Sequence, residues 1–348
     1  MEYGSIFETS SNAAFVREGS GFLHDDWQLF RSGRDAMKAL ARAAGRKRVL
    51  LPALCCESML VPFAQNGYDL VFYRLQEDLQ GDETDVLNKL RDEVFFLYLP
   101  YFGVKPFSDT FLESLRTCGK NLLLVEDRTQ DLIAPRPADG FQPDAMVASL
   151  RKWAALPEGG VLQSGLTLGA SREDNTFGDR CHKAQEEKDR YLKDWEPARK
   201  QAFLELFRGA EALLDTGGEP VAMSGRYRQT AEGLDFDAIY RARRKNLLRL
   251  KQRLEPLAAA GRLRFLGDSP ENSALYLPIL LDDRDRVQRA MAEEKIYCPV
   301  IWPEPEAAAG VCPVSHAVTK HMLALPVDQR YGEKEMAFFA DTLERILK

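Results

Sequence analysis

Short apolar runs alternate with amphipathic stretches through the first half of the chain. The runs at 49–51, 70–73, 94–99, 122–125 and 145–148 have the length and density of buried strands. Between them, the spacing predicts helices. Ser32 and Asp35 have capping-box spacing, and Ala36, Met37, Leu40 and Ala43 then share one helical face. Segments 54–63, 84–90 and 111–116 read as further helices, with a turn at Asn66-Gly67. Strands separated by helices predict an α/β fold with a mostly parallel central sheet covered on both faces.

Beyond residue 152 the pattern changes. Residues 161–162 and 166–168 are expected to pair as a hairpin across Gln163-Ser164-Gly165, and 179–214 is expected to be helical. The run Asp215-Thr216-Gly217-Gly218-Glu219-Pro220 marks a boundary, followed by a loop carrying Gly225-Arg226-Tyr227-Arg228. A long helix at 236–259, strands at 275–280 and 297–301, and helices at 284–294 and 333–347 then predict a smaller α+β domain. The expected organisation is a terminal arm (1–30), a large domain (31–214) and a small C-terminal domain (215–348).

Composition narrows the function classes. The chain has 348 residues with 47 basic and 53 acidic side chains interspersed, so no extended positive field is available for nucleic acid. The N-terminus lacks a basic-then-apolar leader, and no apolar run approaches the ~18 residues of a spanning helix. A cytoplasmic protein is expected, with no membrane partner. Six cysteines without a CxxC pair suit reduced thiols. HExxH, GxGxxG and GxxxxGK[ST] are all absent, so neither a metal nor a dinucleotide or ATP site is expected. The basic cluster 241–245 reads as the wet face of a helix, and His182, His316 and His321 as exposed or structural residues.

The candidate chemistry sits at two strand ends. Asp127 closes the 122–125 run, and Lys152 follows Ser149-Leu150-Arg151 after the 145–148 run. A desolvated lysine binds its proton less tightly and can attack an aldehyde. An opposing carboxylate can hold a protonated pyridine nitrogen, which makes the ring an electron sink. Ser149 and the helix start at Ser32-Gly33-Arg34 offer a hydroxyl and amide donors to a phosphate. Pyridoxal 5'-phosphate needs all three contacts. The residues alone also fit structural roles, and a strand-terminal aspartate equally suits a magnesium ion.

With Val125-Glu126-Asp127-Arg128-Thr129-Gln130, Ser149-Leu150-Arg151-Lys152, Gly159-Gly160 and Leu323-Ala324-Leu325-Pro326-Val327, the chain resembles the DegT/DnrJ/EryC1/StrS aminotransferases among the fold-type I pyridoxal-phosphate enzymes. The resemblance implies Lys152 as the Schiff-base lysine, Asp127 at the pyridine nitrogen and Gln130 at the ring hydroxyl. Ser149 and the backbone of Gly33 and Arg34 would form the phosphate cup. It also implies ping-pong transfer of an amino group from glutamate to a nucleotide-linked keto sugar, in a homodimer with shared active sites.

Two departures stand out. Where the family places an aromatic over the ring, this chain has Cys55 and Cys56; Cys56 is the expected ring neighbour, with Tyr101 or Phe102 as the alternative. Where relatives carry Gly-Tyr-Asn, this chain has Gly225-Arg226-Tyr227-Arg228, leaving Arg226 or Arg228 to meet a partner's phosphate, a substrate anion or only solvent. The competing functions are another pyridoxal-phosphate reaction, decarboxylation or elimination at an amino acid, and a non-catalytic regulatory relative.

Overall fold

A computed structural model describes residues 2–17, 21–267 and 272–348. The first half alternates as read from α1 to β6: β1 (Gln28–Phe30), α1 (Gly33–Ala44), β2 (Arg48–Pro52), α2 (Glu57–Ala64), β3 (Asp69–Tyr73), α3 (Glu83–Lys89), β4 (Val94–Tyr98), α4 (Asp109–Arg116), β5 (Leu123–Asp127), β6 (Ala145–Ser149) and β7 (Gly160–Ser164). The seven strands form one sheet in the order β1-β7-β6-β5-β4-β2-β3. Strands β2 to β6 are parallel, with Asp127 beside Val147 in register. Every residue of β4, β5 and β6 is buried, which is why these strands carry uninterrupted apolar runs rather than alternation.

The second half contains α5 (Thr176–Asp194), α6 (Pro197–Leu214), α7 (Gly225–Glu232), α8 (Phe236–Ala259), β8 (Arg264–Phe265), β9 (Tyr276–Leu280), α9 (Arg284–Glu293), α10 (Pro313–His321), β10 (Met322–Pro326) and α11 (Glu333–Leu347). A three-stranded antiparallel sheet, β10-β9-β8, packs with α8, α9 and α11 around a second apolar cluster. The fold is α/β, with a mainly parallel sheet between helices.

Four sequence expectations are corrected. The hairpin between 161–162 and 166–168 does not form. Strand β7 runs antiparallel to β6 on one side, and β1, from within the expected terminal arm, takes its other edge. The helical segment 179–214 is two helices folded back on each other: Trp195 adopts a left-handed backbone (φ 60°), and Pro197 starts α6 in the first turn, where a missing N–H does no harm. Residues 297–301 are not a strand. Pro299 interrupts them, and the place beside β9 is filled by β10, the segment noticed only as a motif. Gly225-Arg226-Tyr227-Arg228 opens α7 instead of forming a loop.

Candidate active site

Strands β5 and β6 deliver their last residues to one rim of the sheet. The acidic pair ending β5 splits, as neighbours on a strand must. Glu126 is held by Arg136 at 2.7 and 2.8 Å, whereas Asp127 lines a cavity of about 130 Å³. Asp127 Oδ1 accepts the Thr129 amide at 2.9 Å. Burial raises its pKa above the ordinary carboxylate range, and the Thr129 hydrogen bond opposes that shift.

Lys152 follows β6 in a short 3₁₀ turn, Leu150–Lys152. The turn is tied down: the Trp153 amide donates to Leu150 O at 2.9 Å, and the Trp153 indole donates to Thr129 O at 3.1 Å, joining the two strand ends. Arg243 Nη2 and Gln329 Nε2 both donate to Trp153 O, at 3.1 and 2.8 Å. The Lys152 side chain is exposed, opening onto two cavities walled by the surrounding protein. That surrounding protein lowers the pKa of its amine. Glu211 opposes the shift, and Arg151 and Arg34 add to it.

The remaining wall of the smaller cavity comes from three other places. Ser32 caps α1, accepting the Asp35 amide at 3.2 Å, so the first-turn amides of Gly33 and Arg34 face outward without intrahelical acceptors. Ser149 and these residues share the cavity. The helix end sits this close to the sheet because Gly160 has no side chain: a Cβ there would lie 2.0 Å from Ser32 O. Gln130 Oε1 accepts the Phe102 amide at 2.9 Å, and its Nε2 is buried with no acceptor among the described residues. Cys56, the N-cap of α2, also lines the cavity, with Sγ 3.0 Å from Ser58 Oγ.

Gly33, Arg34, Cys56, Asp127, Gln130, Ser149 and Lys152 thus meet at one cavity. Tyr101 and Phe102 do not line it; both are fully buried, and the Tyr101 hydroxyl donates to Leu54 O. Arg226 and Arg228 lie exposed on α7, Arg226 over the Tyr227 ring and Arg228 paired with Glu232, outside the cavity of their own chain.

Two site residues had no sequence signal. Glu211, on α6, pairs with Arg34 Nη2 at 2.9 Å and Arg151 Nη2 at 2.5 Å. Burial alone would raise its pKa; the Arg151 guanidinium, with Lys152 and Arg34, instead lowers it to about 2. Trp302 brings an aromatic side chain to the same cavity from beyond the expected 297–301 strand. Both reach the site through long-range packing, which local periodicity does not encode.

A second cavity of about 320 Å³ lies on the other side of Lys152, sharing Arg151, Lys152 and Glu211 with the first. Gly4 to Phe7 form part of its wall, pinned by Arg330 to Ser5 O at 3.0 Å and Ile6 O at 3.1 Å.

No protein-family model and no curated protein matches this chain. Solved structures do. The putative sugar aminotransferase Spr1654 from Streptococcus pneumoniae, in its PLP form, superposes with a TM-score of 0.67 over 100% of this chain and 98% of that one, at 11% identity. The aminotransferase TlmJ from Streptoalloteichus hindustanus gives 0.67 over 97% and 93%, at 17% identity. The fold is that of the fold-type I pyridoxal-phosphate transferases. A DegT DnrJ EryC1 StrS aminotransferase from Brucella abortus gives 0.59 over 96% and 91%, at 14% identity. At such identities the likeness is one of fold, and the argument about chemistry returns to the residues.

Proposed function

We propose that this protein is a pyridoxal-phosphate-dependent aminotransferase that moves an amino group from glutamate to a keto sugar, nucleotide-linked as in the family it resembles. The observation that carries the reading is the convergence of Asp127, Gln130, Ser149, the start of α1 and Lys152 on one cavity. The residues fit the cofactor: the orphaned Gln130 Nε2 offers a donor to a ring hydroxyl, and the Gly33 and Arg34 amides with Ser149 offer donors to a phosphate. When bound, pyridoxal phosphate supplies a sink for the electron pair left at the substrate's alpha carbon.

Lys152 is the group for covalent attachment and proton transfer. Its depressed pKa leaves more neutral amine at a given pH than an ordinary lysine has, as a nucleophile and general base requires. Its Nζ would take the proton from the donor's alpha carbon and hold it for return, and would act in the reverse sense for the acceptor. Asp127 would hold the ring nitrogen. Burial disfavours its charge, so it ionises most readily against a cationic partner, which a protonated pyridine nitrogen is. Cys56, which lines the same cavity, would be a neighbour of the ring.

The active unit in this reading is a homodimer, with exposed Arg226 and Arg228 available to a neighbouring subunit's phosphate. The test is a single half-reaction. Protein loaded with pyridoxal phosphate and mixed with glutamate should yield stoichiometric 2-oxoglutarate and the pyridoxamine form of the cofactor. Carbon dioxide release would favour decarboxylation, and no change on loading would favour a non-catalytic relative.

A further inference from the structure

Glu211 borders the reacting amine, yet the cofactor reading gives it no task. We propose that Glu211 is a positioning residue for Lys152: its carboxylate holds the Arg34 and Arg151 guanidinium groups in place and offsets their charge, so that the lysine beside them can both take up and return a proton. The proposal rests on the aminotransferase reading for the use of that proton, while the arrangement itself stands on geometry.

Among the described residues, Glu211 is the one carboxylate that lines both cavities at Lys152. It comes from α6 and reaches two other parts of the fold. Arg34, in the first turn of α1, donates from Nη2 to Glu211 at 2.9 Å and from Nη1 to Asp215 at 2.7 Å. Arg151, next to Lys152 in the 3₁₀ turn, donates from Nη2 to Glu211 at 2.5 Å. The Arg151 guanidinium also lies over the Phe177 ring, 4.7 Å from its centroid, so α5 and α6 both hold it. One carboxylate thus ties the start of α1, where the phosphate amides are, to the turn that carries the amine.

Charge makes this link matter. Lys152, Arg34 and Arg151 bring three cations to one cavity, and like charges disfavour one another. The other groups around them do not restore the balance. Burial disfavours the charge of Asp127 on β5, and that of Glu158, which accepts the Ser224 amide at 2.7 Å. Cys56 on α2 and Cys181 on α5 stay protonated because burial raises both thiols, the second to about 11. Arg243 on α8 adds positive charge at the Lys152 and Trp153 carbonyls, while Asp328 and Arg330 pair with each other at 2.8 Å. That leaves Glu211. Burial opposes its charge, but Arg151, Lys152 and Arg34 hold its pKa down to about 2, so it stays ionised. Burial weakens the hold of Lys152 on its proton, and Glu211 is the foremost group opposing that effect. A general base that must also act as an acid works best when its proton affinity lies near the working pH.

The test measures the Lys152 amine in the full chain without cofactor. Competitive labelling with acetic anhydride across pH, mapped lysine by lysine, gives its titration midpoint, with exposed Lys334 as the internal reference. Glu211→Gln should lower the Lys152 midpoint by about one pH unit, the scale of one neighbouring charge. Glu211→Asp, which keeps the charge, should restore most of the shift. Arg151→Met should raise the midpoint yet leave it below that of Lys334, a distinction that unfolding would erase. In protein loaded with pyridoxal phosphate, the pH at which the visible absorbance of the bound cofactor changes should move down in Glu211→Gln as well.

A midpoint that stays or rises in Glu211→Gln overturns the proposal. An equal fall in Glu211→Asp does so too, because it marks lost packing rather than lost charge, as does the absence of a rise in Arg151→Met. The labelling needs neither cofactor nor glutamate, so a failed half-reaction and a failed charge balance are separate results.

Discussion

At the scale of single residues, the site depends on which side chains the packing leaves unspent. Glu126 and Asp127 are adjacent carboxylates, yet Arg136 occupies the first, while the second keeps an oxygen toward a cavity. The sequence made Asp127 and Lys152 visible because both end apolar runs. It made Glu211 and Trp302 invisible, since neither lies at a spacing that marks a site.

Trp302 bears on the missing aromatic. Cys56 cannot supply stacking area, but Trp302 borders the same cavity. Replacing Trp302 by alanine is expected to weaken pyridoxal phosphate about two- to tenfold, from ~0.5–1.5 kcal/mol of aromatic contact. Replacing it by phenylalanine should remove much of the tryptophan quenching on cofactor addition while retaining most affinity. A titration followed by fluorescence and absorbance checks both.

At the scale of elements, the approach of α1 to the sheet matters most. Gly160 in β7 stands against Ser32, whose side chain caps α1, and the buried Arg31–Asp35 pair at 2.9 Å fixes the same corner. An added Cβ must push the helix end away. Gly160→Ala is expected to cost about 1–3 kcal/mol by overpacking and to weaken both phosphate and pyridoxal phosphate binding. Thermal melts with and without cofactor would show a lower melting temperature and a smaller ligand-induced rise.

The order of strands and helices up to β6 was legible because each buried parallel strand is a continuous apolar run. The edge was not. Strand β1 is three residues long and polar at its start, so it gave no pattern, and its absence from the reading left β7 to be paired with residues that follow it. Pro197 was a visible break in the 179–214 segment, but an amphipathic pattern on both sides concealed the reversal at Trp195.

At the scale of the whole molecule, the chain's first residues return to close the larger cavity. Tyr3 packs on Phe339 and Tyr331 with ring centroids 5.0 and 5.6 Å apart, and the Gly4 amide donates to the Tyr331 hydroxyl at 2.7 Å. Lys188, fully buried, supports this segment through Ile6 O and Glu8. Burial first, and Arg330 second, push its pKa down to about 8.

The unfolded chain holds a lysine proton more tightly than that, so between about pH 8 and the ordinary lysine value it binds more protons than the folded protein. The Lys188 contribution to stability is therefore smallest below about pH 8 and increases as pH rises through that window. Unfolding measured from pH 7.5 to 10 should show this upward term in the unaltered protein and its loss in Lys188→Met.

All three scales meet at one bond. The most direct measurement is borohydride reduction of the protein loaded with pyridoxal phosphate, followed by peptide mapping. The account predicts a single cofactor adduct on Lys152, and no adduct in Lys152→Ala. An adduct confined to another lysine, or none in the unaltered protein, would contradict it.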